Sequence, residues 1–268
     1  MKQILESLIG VNDGAEGLGR RSFLKGMGMA SAGVVGVGLL AGCGGSTSPG
    51  VSGAAATLDQ QILGAAKIAE ALATTMYASL IASPLFGTLP ASDQAYFNAA
   101  VNEEKFHYDL LKSATGGTDA PLTYYFPTGM FTTSGSGPAT TFNTIVTLEE
   151  AFIAAYLLGV AQLSTPSLKV LAAQILGVEA EHRTLAKVTA NDISLASSTG
   201  LSGVAAPNSP PNNVVFEQKY GVTSLDVVVA ALKPFFDATA AASAGYTVTE
   251  TFNPNYTANG SGLSGTTP

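Results

Sequence analysis

The sequence contains two histidines, His107 and His182, and each stands three residues after a glutamate, in "EKFH" (104–107) and "EAEH" (179–182). Residues three apart on a helix are neighbours on one face, so each Glu-x-x-His sets a carboxylate beside an imidazole. A lone glutamate precedes each pair, Glu70 by 34 residues and Glu149 by 30, and each is followed seven residues later by a tyrosine, Tyr77 or Tyr156. Apolar residues share the helix faces of all six: Ala66 and Ala73 by Glu70, Ala100 and Leu111 by Glu104 and His107, Ile153 by Glu149, and Ala172, Ile175 and Ala186 by Glu179 and His182. Four carboxylates and two imidazoles therefore aim at a core. Each ion so buried loses several kcal/mol of hydration. Raised pKa values relieve one or two carboxylates, but four together call for counter-charge. Two divalent cations supply it, with neutral imidazoles as further donors. Glutamate and histidine without cysteine point to iron or manganese rather than a thiolate site.

The elements that must carry these residues are helical. "TLDQQILGAAKIAEALATTMYASLIA" (57–82) opens on a capping box, Thr57 with Gln60. "SDQAYFNAAVNEEKFHYDLLKSA" (92–114) offers Ser92 as N-cap and stops before Gly116–Gly117. An irregular stretch, 116–141, carries three prolines and five glycines and reads as a crossover. Helices follow at 142–164, with a start near Thr141, and 167–192, separated by Pro166. The competing start at Thr147, with "TLEE" as a capping box, would leave Glu149 at the bundle's end. Helix, short turn, helix, long crossover, helix, short turn, helix is the order of an all-α, ferritin-like four-helix bundle with one long crossover. A shorter helix is expected at about 223–243, kinked or broken at Pro234. The resulting division is 57–192 for the bundle, 193–248 for a loop and extra helix packed on it, and 249–268 for a disordered tail.

The N-terminal 42 residues read as an export signal. "RRSFLKG" (20–26) precedes a short glycine-rich apolar run that ends in "LAGC" (40–43). Twin arginines resemble the signal type that exports folded proteins. "LAGC" resembles a bacterial lipobox, which makes Cys43, the one cysteine of the chain, a candidate lipidation site. Residues 43–56 are a small-residue tether with a reach of about 20 Å. The expected location is the periplasmic side of a bacterial membrane, held there by lipid. A net charge of −7 and pI near 4.7 exclude a nucleic-acid partner, which needs a basic face.

Glu, Glu-x-x-His, Glu, Glu-x-x-His on four helices resembles the ferritin-like di-metal carboxylate proteins. "EALATTMY", "EEAFIAAY" and "ILGVEAEH" resemble most the bacterial ferritin-like proteins related to plant desiccation-related proteins, and rubrerythrin more distantly. The resemblance implies two iron ions (or manganese), with Glu104 and Glu179 bridging, Glu70 and Glu149 terminal, and one histidine on each metal. It also implies O2 or peroxide as the small inorganic substrate. Many members carry a second glutamate one turn after the first; here that position is Ala73. Tyr77 and Tyr156 are the candidate catalytic side chains. Their simpler reading is core aromatics whose hydroxyls reach a buried carboxylate. Met76 and Phe152 read as packing, and Glu103, Glu150 and Glu181 as solvated neighbours of the ligands. The alternative function is a non-catalytic, envelope-anchored stress or structural protein on the same scaffold; homodimerisation is left open.

Overall fold

In the computed structural model, residues 57–117, 119–120, 123–195 and 224–257 are described. The signal, Cys43, the tether, the "APNSPPNN" loop and the tail beyond 257 lie outside them. Four long helices form the bundle: α1 (Leu58–Ala82), α2 (Ala91–Ala114), α3 (Gly137–Gln162) and α4 (Pro166–Asp192). α1 packs chiefly on α2 and α3 on α4, and the two hairpins meet through α1 with α3 and α2 with α4. By length and composition α3 alone among these helices could cross a membrane, yet most of it is buried in this core.

The capping box on α1 forms as expected. The Thr57 hydroxyl accepts from the Gln60 amide at 3.3 Å, and Gln60 Oε1 accepts from the Thr57 amide at 3.0 Å. Ser92 is not the cap of α2. The helix begins at Ala91 after Pro90, whose carbonyl accepts from the Asp93 and Gln94 amides, each at 3.0 Å, and Ser92 bonds Asp93 instead, at 3.1 Å. α3 starts four residues before Thr141, because Pro138 falls in its first turn, where a missing N–H costs nothing. Thr147 is thus interior, its hydroxyl bonded to the Asn143 carbonyl at 2.8 Å, so "TLEE" caps no helix. The start at Gly137 makes the repeat strict. Glu70 and Glu149 are each thirteenth in their helices, and Glu104 and Glu179 each fourteenth, counting from the first residue of α1, α3, α2 and α4.

The crossover and the C-terminal segment depart from expectation together. Residues Thr123–Pro127 form β1, which pairs antiparallel with β2 (Tyr246–Thr251), Phe126 opposite Val248 and Tyr124 opposite Glu250. The tail placed at 249–268 is therefore ordered through its first residues, with Phe252 buried and its ring 4.7 Å from that of Tyr108. The ribbon puts Tyr124 and Phe126 into the core, and the Tyr124 hydroxyl donates to the Ile68 carbonyl at 3.3 Å. Ahead of β2 the expected C-terminal helix is broken at Pro234. α5 (Leu225–Leu232) runs into a 3-10 turn (Lys233–Phe235), and α6 (Ala238–Ala244) follows after a 75° bend. Asp237 caps α6, its Oδ1 accepting from the Ala240 amide at 2.8 Å, and Gly245 ends it at φ +75°. Val228 and Leu232 bury α5 against the bundle.

Among the described glycines, Gly137 makes the tightest backbone approach. A Cβ there would stand 2.0 Å from Thr132 Oγ1 and 2.6 Å from the Thr132 carbonyl oxygen, whereas one on Gly64 in α1 would meet nothing within 4 Å. Gly137→Ala should lose about 1–3 kcal/mol, a fall of roughly 2–12 °C in melting temperature. Gly64→Ala should hold stability or raise it by up to about 1 kcal/mol. Thermal melts of the two variants check the pair, and a Gly137→Ala protein as stable as wild type would refute the assignment.

Candidate metal centre

Because each helix contributes its polar residues near its midpoint, all six converge between the hairpins. Glu70, Glu104, His107, Glu149, Glu179 and His182 are each at most 6% exposed. They fall into two overlapping quartets, Glu70, Glu104, His107 and Glu179, and Glu104, Glu149, Glu179 and His182. Within each quartet one donor atom per residue lies within 4.8 Å of every other. Glu104 and Glu179 belong to both.

The atomic pattern is sharper still. His107 Nδ1 stands 3.4 Å from Glu70 Oε2, 3.9 Å from Glu104 Oε2 and 3.5 Å from Glu179 Oε1. His182 Nδ1 stands 2.7 Å from Glu104 Oε1 and 3.5 Å from Glu179 Oε2. Each shared glutamate thus turns one oxygen to each imidazole. Despite these separations none of these atoms has a hydrogen-bond partner, nor has Glu149 Oε2. Donors held about 2.1 Å from a shared cation, in adjacent positions, stand about 3 Å apart. The histidine–glutamate separations, 2.7–3.9 Å, lie around that spacing, and the eight unpartnered atoms could serve as a donor set for cations.

Two tyrosines complete the frame. The Tyr77 hydroxyl, on α1, donates to Glu149 Oε1 on α3, and the Tyr156 hydroxyl, on α3, donates to Glu70 Oε1 on α1. The simpler reading of both, a core aromatic reaching a buried carboxylate, is what the geometry shows. Each bond ties off one oxygen, so Glu70 and Glu149 offer a single free oxygen while Glu104 and Glu179 offer two. The Tyr77 ring also meets the His182 ring edge-on, at 5.6 Å.

Sequence reasoning missed Glu103. It is not merely solvated: its Oε2 lies 2.9 Å from His182 Nε2, the ring nitrogen turned away from the quartet. The signal was available in type, since a ligating histidine usually bonds a carboxylate through its outer nitrogen. The partner sits on another helix, however, and no local spacing reveals it. Glu181 is exposed as expected.

Without cations, protons supply the counter-charge. Burial, and then the negative charges of Glu179 and Glu104, hold the Glu70 and Glu149 carboxyls well above the usual range. Burial also pushes Glu104 upward, but the His182 imidazole and its other polar neighbours outweigh it and leave the carboxyl below its ordinary value. Burial lowers both histidines, yet Glu70 beside His107 and Glu104 beside His182 more than reverse this. Tyr77 and Tyr156 are raised by burial and by the carboxylates they serve, and keep their protons.

Two expectations follow for the metal-free protein. Glu70 is held above the usual range and Glu104 below it, so Glu70→Gln should cost the metal-free protein less stability than Glu104→Gln, which strands a buried imidazolium at about 3–5 kcal/mol. Denaturant unfolding of the two variants checks this; equal losses would contradict the assigned protonation. For the four raised groups the stabilisation is complete below the ordinary values, 4.5 for glutamate and 6.5 for histidine, and is lost as pH climbs towards the folded-state values. Glu103, Glu104 and Asp119, all lowered, titrate below 4.5 and do not act in that window. The metal-free protein should therefore melt lower at pH 8 than at pH 5.5. A cation must displace the same protons, so the stabilisation that added Mn(II) confers should grow over that interval, as calorimetry with and without the ion would show.

Comparison with known proteins agrees with this geometry. No curated protein and no solved structure matches the chain. A family model does, described as a ferritin-like domain, over residues 58–191, which is half of the chain and all but the last residue of the four-helix bundle. The chain belongs to the ferritin-like family.

Proposed function

We propose that this protein holds a dinuclear iron or manganese centre that reacts with O2 or peroxide, and that it protects an exported, lipid-anchored location against oxidative or desiccation stress. The observation that carries the reading is the pair of quartets sharing Glu104 and Glu179, four buried carboxylates matched by the charge of two divalent cations. Such metals, when bound, supply one-electron redox chemistry between their M(II) and M(III) states.

The residues divide the remaining work. Glu104 and Glu179 would be shared by the two cations, because each turns one oxygen to either imidazole. Glu70 and Glu149 would each hold one cation through their single free oxygen, and His107 and His182 would add a nitrogen apiece. Tyr77 and Tyr156 act as positioning residues, orienting the terminal carboxylates while keeping their own protons. Ala73, Ala100, Ile153 and Ala186, one turn from the ligands, are buried and apolar, which favours a small inorganic substrate over an organic one. Export in folded form suits the metal choice. Intrinsic affinities favour copper and zinc over iron and manganese, so loading before export lets the cytoplasm decide.

Elemental analysis of protein taken from its native envelope fraction, followed by addition of peroxide, tests the reading. About two iron or manganese ions per chain and a peroxide-dependent change in absorbance are expected, with Glu104→Ala removing both. Protein free of transition metal, with no change in absorbance on adding peroxide, would replace the reading with a non-catalytic anchored scaffold.

A further inference from the structure

We infer that the two cation positions are unequal and that Glu103 makes them so, by holding His182 through its outer ring nitrogen and rendering the Glu149–His182 position the tighter of the two. The inference rests on the dinuclear reading above and adds to it a residue outside both quartets.

The internal repeat exposes the asymmetry. Glu104 corresponds to Glu179 and His107 to His182, since each pair occupies the same place in its helix. The residue before the first glutamate is Glu103; the residue before the second is Val178. Glu103 Oε2 lies 2.9 Å from His182 Nε2, while Nδ1 of the same ring faces Glu104 and Glu179. His107 also turns Nδ1 to its quartet, but among the described residues no carboxylate stands at its Nε2. One imidazole is thus gripped from behind by an anionic acceptor and the other is not. With a cation at Nδ1, Nε2 carries the proton and donates it to Glu103. The bond fixes the tautomer and the ring plane, and the negative charge raises the donor strength of Nδ1. Partners of this kind are worth about 10–100-fold in metal affinity. Glu103 is itself accessible, its side chain 39% exposed, so its replacement does not open the core.

Titration of the metal-free full chain with Mn(II), following the signal of the free ion by electron paramagnetic resonance, reads binding without reference to turnover. Wild type should take up two ions in steps separated by at least about ten-fold beyond the statistical factor. Glu103→Val, which copies the Val178 side, should weaken the first step by about 10–100-fold and bring the two together. Glu103→Gln, which keeps an acceptor and removes the charge, should fall between. Two backgrounds assign the effect. With His107→Ala, the remaining tight step should still respond to Glu103→Val; with His182→Ala, it should not. Equal steps in wild type would leave the dinuclear reading standing and sink this inference. So would a Glu103→Val protein that binds as wild type does, or one weakened equally in both backgrounds. A wild-type chain that takes up no Mn(II) would overturn both.

Discussion

Four glutamates at the middle of an apolar bundle repel one another across a medium that screens poorly, and no packing of alanine and isoleucine relieves that repulsion. It must be met by positive charge delivered at the same depth. Two imidazoles provide part of it, protons on Glu70 and Glu149 provide more, and the unpartnered lone pairs show where cations would provide the rest. The remainder of the architecture follows from this constraint. Helices of 25, 24, 26 and 27 residues are long enough to place the charged layer many residues from either end, away from water.

The two tyrosines show how the same layer doubles as a brace. Tyr77 and Glu70 share α1, Tyr156 and Glu149 share α3, and each hydroxyl bonds the other helix's carboxylate. The exchange locks α1 to α3 at one register: a shift of one residue would break both bonds together. It also spends one oxygen of each terminal glutamate, so stability and coordination draw on different atoms of the same side chain.

Much of this was legible in the sequence because helical spacing is local. Glu-x-x-His, the lone glutamates and their following tyrosines are patterns within seven residues, and their repetition on both halves specified the layer. What escaped was what depends on distant partners. The ribbon of β1 and β2 joins segments more than a hundred residues apart, and neither "TYYFP" nor "YTVTET" announces its mate. Glu103 and His182 meet across two helices, so the glutamate read as a solvated neighbour. Ser92 lost its expected cap to a proline two residues earlier, whose fixed φ had already set the first turn. Gly137 and Pro138 began α3 where composition suggested loop.

The sharing of Glu104 and Glu179 also bears on the order in which the chain must fold. Either hairpin is a local structure, formed from contacts between sequence neighbours, and such units form quickly. Yet each quartet needs a carboxylate from both hairpins, so neither exists until the crossover has closed and the halves have docked. The charged layer therefore cannot nucleate folding. It acts as a final latch, and until it closes two half-bundles with apolar inner faces stay exposed to association with other chains.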